Sequence, residues 1–111
     1  MAHLPKPAAP RADAADADVG AQMKEYRSRI DRLDEELVRL LNARASCANE
    51  IGRLKDQVGM ETYQPNRELE VLEHVRTVNA GPLDGSAVTR LFERIIDESR
   101  RLERLAHDGD A

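Results

Sequence analysis

From Met23 onward, apolar side chains return every three or four positions: Tyr26, Ile30, Leu33, Leu37, Leu40, Leu41, Ala48, Ile51, Leu54 and Val58. That spacing keeps them on one side of an α-helix, and no proline or strong breaker interrupts it before Gly59; Gly52 is the one weak point. A second helix is expected from about Pro65 to Val78. Pro65 suits a first turn, and "NAGPLDG" supplies the Gly, Pro and Asp of a terminating turn. A third helix starts near Ser86 and continues through "AVTRLFERIIDESRRLERLAH", with Phe92, Ile95, Ile96, Leu102 and Leu105 as its apolar side. Alternation at period two is absent, so no strand is expected. The fold class is all-α, with three helices per chain and a very long first one.

That inequality has a consequence. One helix over residues 23–58 would span roughly 54 Å at ~1.5 Å per residue, against a radius of gyration of only ~13 Å for a compact domain of this size. Two shorter helices cannot cover its apolar stripe. A second copy of the chain is the economical cover, giving an intertwined helical homodimer. Residues 1–20 are rich in Ala, Pro and Asp with almost no large apolar side chain, so they are expected to form a disordered tail. The domain then occupies residues 21–107, followed by a short disordered end at 108–111.

Composition narrows the function classes. In 111 residues, with 41% hydrophobic content but one Phe, two Tyr and no Trp, the core must be aliphatic and a deep aromatic pocket is not expected. The 21 acidic and 17 basic residues leave a formal net charge of −4, so nothing points to nucleic acid or to an anionic membrane. No apolar run approaches the ~20 residues of a membrane span, and the N-terminus lacks a signal-peptide stretch, so a cytoplasmic location is expected. Cys47 is the only cysteine and reads as a small helix-packing residue.

Polar residues interrupt the apolar faces. Arg44, Ala48, Ile51 and Lys55 are spaced by four, three and four, which places two cations on the stripe of Leu37, Leu40 and Leu41. Phe92, Ile96, Ser99 and Glu103 repeat that spacing on the third helix; Glu68, Leu72 and Val75 do likewise on the second. Each has an ordinary explanation alone. A long cation snorkels to water, a serine bonds back to its own turn, and a glutamate near a helix C-terminus is solvated or pairs with Arg100 or Arg104. All three helices share the anomaly, however, and an uncompensated buried charge costs several kcal/mol. One polar cavity shared by Arg44, Lys55, Glu68, Ser99 and Glu103 explains the set.

Confined cations favour a small dianion or polycarboxylate, since arginine grips carboxylates in bidentate fashion and lysine supplies a compact charge. His3, His74 and His107 are scattered and no Cys/His cluster exists, so no metal and no cofactor is expected. There is no nucleophile paired with a base and no glycine-rich phosphate loop.

The run "YRSRIDRLDEELVRLLNARASCANEIGRLK", then "YQPNRELEVL", then "VTRLFERIIDESRRLE", resembles the all-helical chorismate mutases over roughly residues 24–105. The matching features are "RxxIDxLDxxLxxLLxxR", a Lys eleven residues later, an Arg-Glu pair at the second helix, and "FxxIIxxS" with a polar residue four positions on. The resemblance implies a homodimer whose long first helices span both active sites, and conversion of chorismate to prephenate in aromatic amino-acid biosynthesis. Arg44, and Arg27 donated across subunits, resemble the pair that binds the substrate's two carboxylates, with Ser99 assisting. Lys55 looks like the donor to the ether oxygen and Glu103 like its partner there. Glu68 is placed like the residue that binds the ring hydroxyl, and Arg67 like the cation beside it. Gln64 stands where the family often has Asp, a better N-cap.

Arg27 and Arg44 are 17 residues apart, about 25 Å on a straight helix, too far to grip one small molecule from the same chain. Glu103 stands where several relatives have Gln; it must be protonated to donate a hydrogen bond to the ether oxygen. Three alternatives remain open: an isochorismate pyruvate lyase on the same fold, a non-catalytic helical interaction module, and a catalytic domain dependent on a partner enzyme of the shikimate pathway.

Overall fold

The computed structural model describes the backbone of residues 8–61 and 64–110, and the side chains of residues 14–61 and 64–106. Among the described residues there are three α-helices and no strand: α1 (Ala8–Gln57), α2 (Pro65–Val78) and α3 (Gly85–Asp110). The second helix has the expected ends, and the third begins one residue before Ser86.

The first helix begins earlier than expected. Residues 8–20 are helical where the sequence reading placed a disordered tail, and residues 1–7 of that tail lie outside the described residues. Alanine accounts for the difference. The segment "AAPRADAADA" is mostly alanine, the strongest helix former, and its one proline falls in the first turn, where the missing N–H has no partner to lose. Extending a nucleated helix adds one hydrogen bond per residue fixed, so it requires no core of its own. Helix α3 likewise continues through residues 108–110, also expected to be disordered; Ala111 lies outside the described residues.

By packing, the chain divides into Met1–Arg39 and Leu40–Ala111. In the first unit Val19, Met23, Tyr26, Ile30, Leu33 and Leu37 follow one another at alternating four- and three-residue steps, and all are exposed. That 3.5-residue period is the seam of a helix that pairs with another helix. Local contacts decorate the rest of its surface: Gln22 donates to Asp18 at 2.9 Å, Arg39 pairs with Glu36, and the Arg29 guanidinium lies 5.2 Å from the centre of the Tyr26 ring.

In the second unit, α2 and α3 pack on each other, and the buried apolar residues are Val75, Val88 and Ile96. The end of α1 is held by a paired turn. Met60 N–H donates to the Lys55 carbonyl at 2.9 Å and Gly59 N–H to the Asp56 carbonyl at 3.3 Å, with Gly59 in the left-handed region at φ 73°. Between α2 and α3, Asn79 ties the loop by donating to the Leu83 carbonyl at 2.8 Å and accepting from Gly81 N–H at 3.1 Å.

Asp84 then caps α3, its carboxylate accepting from Ala87 N–H at 2.7 Å. Asp84→Ala should lower stability by about 1 kcal/mol, the typical value of a lost N-cap, as a reduced midpoint in urea with an unchanged slope. An unchanged midpoint would show that the cap contributes nothing.

Candidate functional site

Seven of the eight residues singled out in the sequence line one cavity of about 260 Å³ within the second unit: Arg44, Lys55, Gln64, Arg67, Glu68, Ser99 and Glu103. Ala48, Ile51, Val71 and Ile96 supply its apolar lining. The eighth, Arg27, is exposed on α1 in the first unit and is not among the lining residues.

Each helix delivers its groups by simple periodicity. On α1 the four-three-four spacing from Arg44 through Ala48 and Ile51 puts Arg44 and Lys55 on the cavity side three turns apart. Both are half-buried. Arg44 Nη1 donates to Ser99 Oγ at 3.2 Å, joining α1 to α3 across the cavity wall. Lys55 lies in the last turn of α1, where a cation complements the negative end of the helix dipole. Gly52, between them, faces the Glu103 side chain: a Cβ there would lie in ordinary van der Waals contact, 3.6 Å from Glu103 Cδ.

On α2, Gln64 is the N-cap residue, but its side chain makes no capping bond; its carbonyl accepts from Arg67 N–H at 3.1 Å and Glu68 N–H at 3.3 Å. Pro65 occupies the first turn and Glu68 faces the positive end of the dipole. Arg67 is exposed and pairs with Glu70 at 3.3 Å, which puts it at the rim. Glu68 is half-buried and forms an ion pair with Arg100 of α3.

Arg100 is the cavity residue that the sequence reading passed over, having considered it only as a partner for Glu103. The signal was present: Ile96, Arg100 and Glu103 are spaced by four and three, the same spacing that singled out Ser99 and Glu103. Cys47 also differs from its expected packing role, since it is exposed and lines the cavity; its position three residues after Arg44 carries it onto the polar stripe.

With Arg44, Lys55, Arg67 and Arg100 against Glu68 and Glu103, the lining carries two surplus positive charges when both carboxylates are ionised. Burial raises the Glu103 carboxyl above its ordinary value; Lys55 and Arg100 pull it back down, and Asp56 pushes it up again. Among the described residues no group of three or more His, Cys, Asp or Glu could hold a metal ion, and no helix is long and apolar enough to cross a membrane.

Among the described residues, three helices thus contribute to one small cavity whose charged lining is four cations and two carboxylates. Residues 26–104 match the family model described as chorismate mutase type II, and the chain belongs to that family. It is 43% identical over 88 residues to the bifunctional chorismate mutase/prephenate dehydratase of Pseudomonas aeruginosa, covering 75% of this chain and 24% of that protein. The chorismate mutase of Methanocaldococcus jannaschii is 24% identical over 84 residues, covering 75% of this chain and 85% of its own length. The structure of a chorismate mutase from Thermus thermophilus superposes with a TM-score of 0.73 at 35% identity, covering 75% of this chain and 94% of that one. This chain therefore spans about a quarter of the length of the bifunctional relatives and nearly the whole of the single-function ones.

Glu103 gives this site a pH signature. A carboxyl whose folded pKa is raised contributes stability that is fully present below its unfolded value of about 4.5 and lost as the pH rises through the folded value. Glu103→Gln is uncharged throughout, so its melting temperature should gain on that of the parent between about pH 4 and pH 8. A difference independent of pH would contradict the shift.

Proposed function

We propose that this chain catalyses the intramolecular [3,3] rearrangement of chorismate to prephenate, a step toward phenylalanine and tyrosine, as a symmetric homodimer in the cytoplasm, with residues 21–107 as the catalytic domain. The observation that carries the reading is the convergence of Arg44, Lys55, Glu68, Ser99 and Glu103 from three helices on one cavity. The surplus of positive charge suits a dicarboxylate, and the apolar lining suits a carbocyclic ring.

The roles follow from donor chemistry. Arg44, oriented by Ser99, holds one substrate carboxylate, and Arg27 of the partner subunit holds the other; Arg67 adds positive charge at the rim. Binding both carboxylates folds the substrate into the compact conformer in which the new carbon–carbon bond can form. As it forms, the ether carbon–oxygen bond breaks and negative charge grows on the oxygen. The Lys55 ammonium and the protonated Glu103 carboxyl donate to that oxygen, stabilising the transition state more than the ground state. Glu68 accepts from the ring hydroxyl, and Gln64 lines the cavity at the start of α2. No atom of the protein enters a covalent bond, so no nucleophile and no cofactor is required.

The homodimer accounts for the exposed apolar seam of α1, and it brings in Arg27, which the cavity of a single chain does not include. An exposed lone thiol at Cys47 suits a reducing compartment. A shikimate-pathway enzyme is the partner to add if the chain alone turns over slowly.

Loss of chorismate absorbance should report turnover, and Lys55→Ala should reduce it on the order of 10²–10³-fold, as removal of one transition-state donor does. The rate should rise as the pH falls from about 8 toward 5, because burial raises the Glu103 carboxyl and the protonated form is the donor; Glu103→Gln should flatten that profile. A flat profile in the parent would remove Glu103 from this role, and turnover of isochorismate instead would make the domain a lyase.

Complementation tests the shared site. Arg27→Ala and Lys55→Ala proteins, each inactive, should regain roughly a quarter of parental activity when unfolded together and refolded, since half of the dimers are mixed and each mixed dimer has one intact site. No recovery would place Arg27 and Lys55 in the same chain's site or outside it.

A further inference from the structure

Glu68 poses an electrostatic problem in the site as proposed. A carboxylate in a cavity that takes up a dianion repels the ligand and competes with it for the cations of the lining. The structure holds it elsewhere. Its Oε1 is engaged by Arg100 Nη2, from the neighbouring helix, with about a quarter of the Glu68 side chain and a third of the Arg100 side chain exposed. Arg100 also lies 3.5 Å from Asp97 and pulls the Glu103 carboxyl downward, so it stands among three carboxylates while lining the cavity itself.

We infer that Arg100 is a positioning residue: its guanidinium fixes the Glu68 carboxylate as a hydrogen-bond acceptor, and thereby sets the preference for a dicarboxylate whose ring carries a hydroxyl. The ion pair removes one of two carboxylates from competition for the cavity's cations, and it sets the direction from which Glu68 accepts. A site built around a buried acceptor rejects the analogue that lacks the matching donor, because the acceptor is then left without a partner. This selectivity requires that the acceptor stay in place when the ligand is absent. A plain helix-to-helix clip between α2 and α3 would use the same two residues, but its loss would affect ligands with and without the hydroxyl alike.

This inference rests on the chorismate reading and is tested within it. Parent, Arg100→Met, Glu68→Gln and the double variant are assayed with chorismate and with chorismate lacking its ring hydroxyl; Arg100→Lys is the conservative control, and Arg100→Gln replaces the methionine variant if that does not fold. Arg100→Met should raise KM for chorismate about tenfold with kcat changed less than about threefold, and should lose most of the preference for the hydroxylated substrate. In the Glu68→Gln background the same substitution should change KM less than about twofold, because the two residues act as one unit. Arg100→Lys should restore part of the preference. Additive effects of the two substitutions, or an undiminished preference in Arg100→Met, would overturn the positioning role while leaving the mutase reading intact. A parent protein that does not turn over chorismate would overturn both, and the parent assay alone reveals which has failed.

Discussion

Removing a charge from water costs several kcal/mol unless another charge or a ligand meets it, and the second unit of this chain is arranged around that cost. Among the described residues its buried apolar side chains are Val75, Val88 and Ile96, yet six charged side chains line one cavity beside them. Arg100 answers Glu68, and Arg44 takes Ser99 as a neutral acceptor. The positive surplus that remains is what a dianionic ligand would neutralise. In the function proposed above, binding and partial desolvation would then be one event.

The same economy governs the apolar surface. A seam of leucines, isoleucines and their neighbours runs along α1 at a 3.5-residue period and lies exposed in the single chain. Burial of such side chains is worth roughly 25 cal/mol per Å², so a second helix laid along the seam would add stability that the small described core does not supply. Association and catalysis are therefore coupled in the homodimer proposed above: the contact that covers the seam also delivers Arg27.

How much of this could be read from the sequence depended on how local the cause was. Helix α2 was legible to the residue because Pro65 and the "NAGPLDG" turn act through their own backbone. Gly59 was legible as the breaker that ends the long helix, though not its left-handed conformation. Arg44, Lys55, Glu68, Ser99 and Glu103 were legible as violations of an apolar period, and the cavity gathers all five. The helical state of residues 8–20 was missed because the compositional argument counted burial and ignored the propensity of alanine within an already nucleated helix. Arg100 was missed because an arginine in "SRRLER" is outwardly a surface residue. Only the approach of α2 to α3 shows which of those arginines meets Glu68.

The turn after α1 separates two kinds of sequence change. The Lys55 carbonyl accepts the Met60 N–H, so the residue whose ammonium faces the cavity also anchors the end of its own helix. Length variation in the connection beyond Met60 can thus be absorbed before α2 without moving the α1 wall. A single residue inserted between Arg44 and Lys55 has no such outlet; it would rotate one cation about 100° away from the other. Insertions should therefore accumulate in lineages of this domain after residue 60 and be purged between 44 and 55.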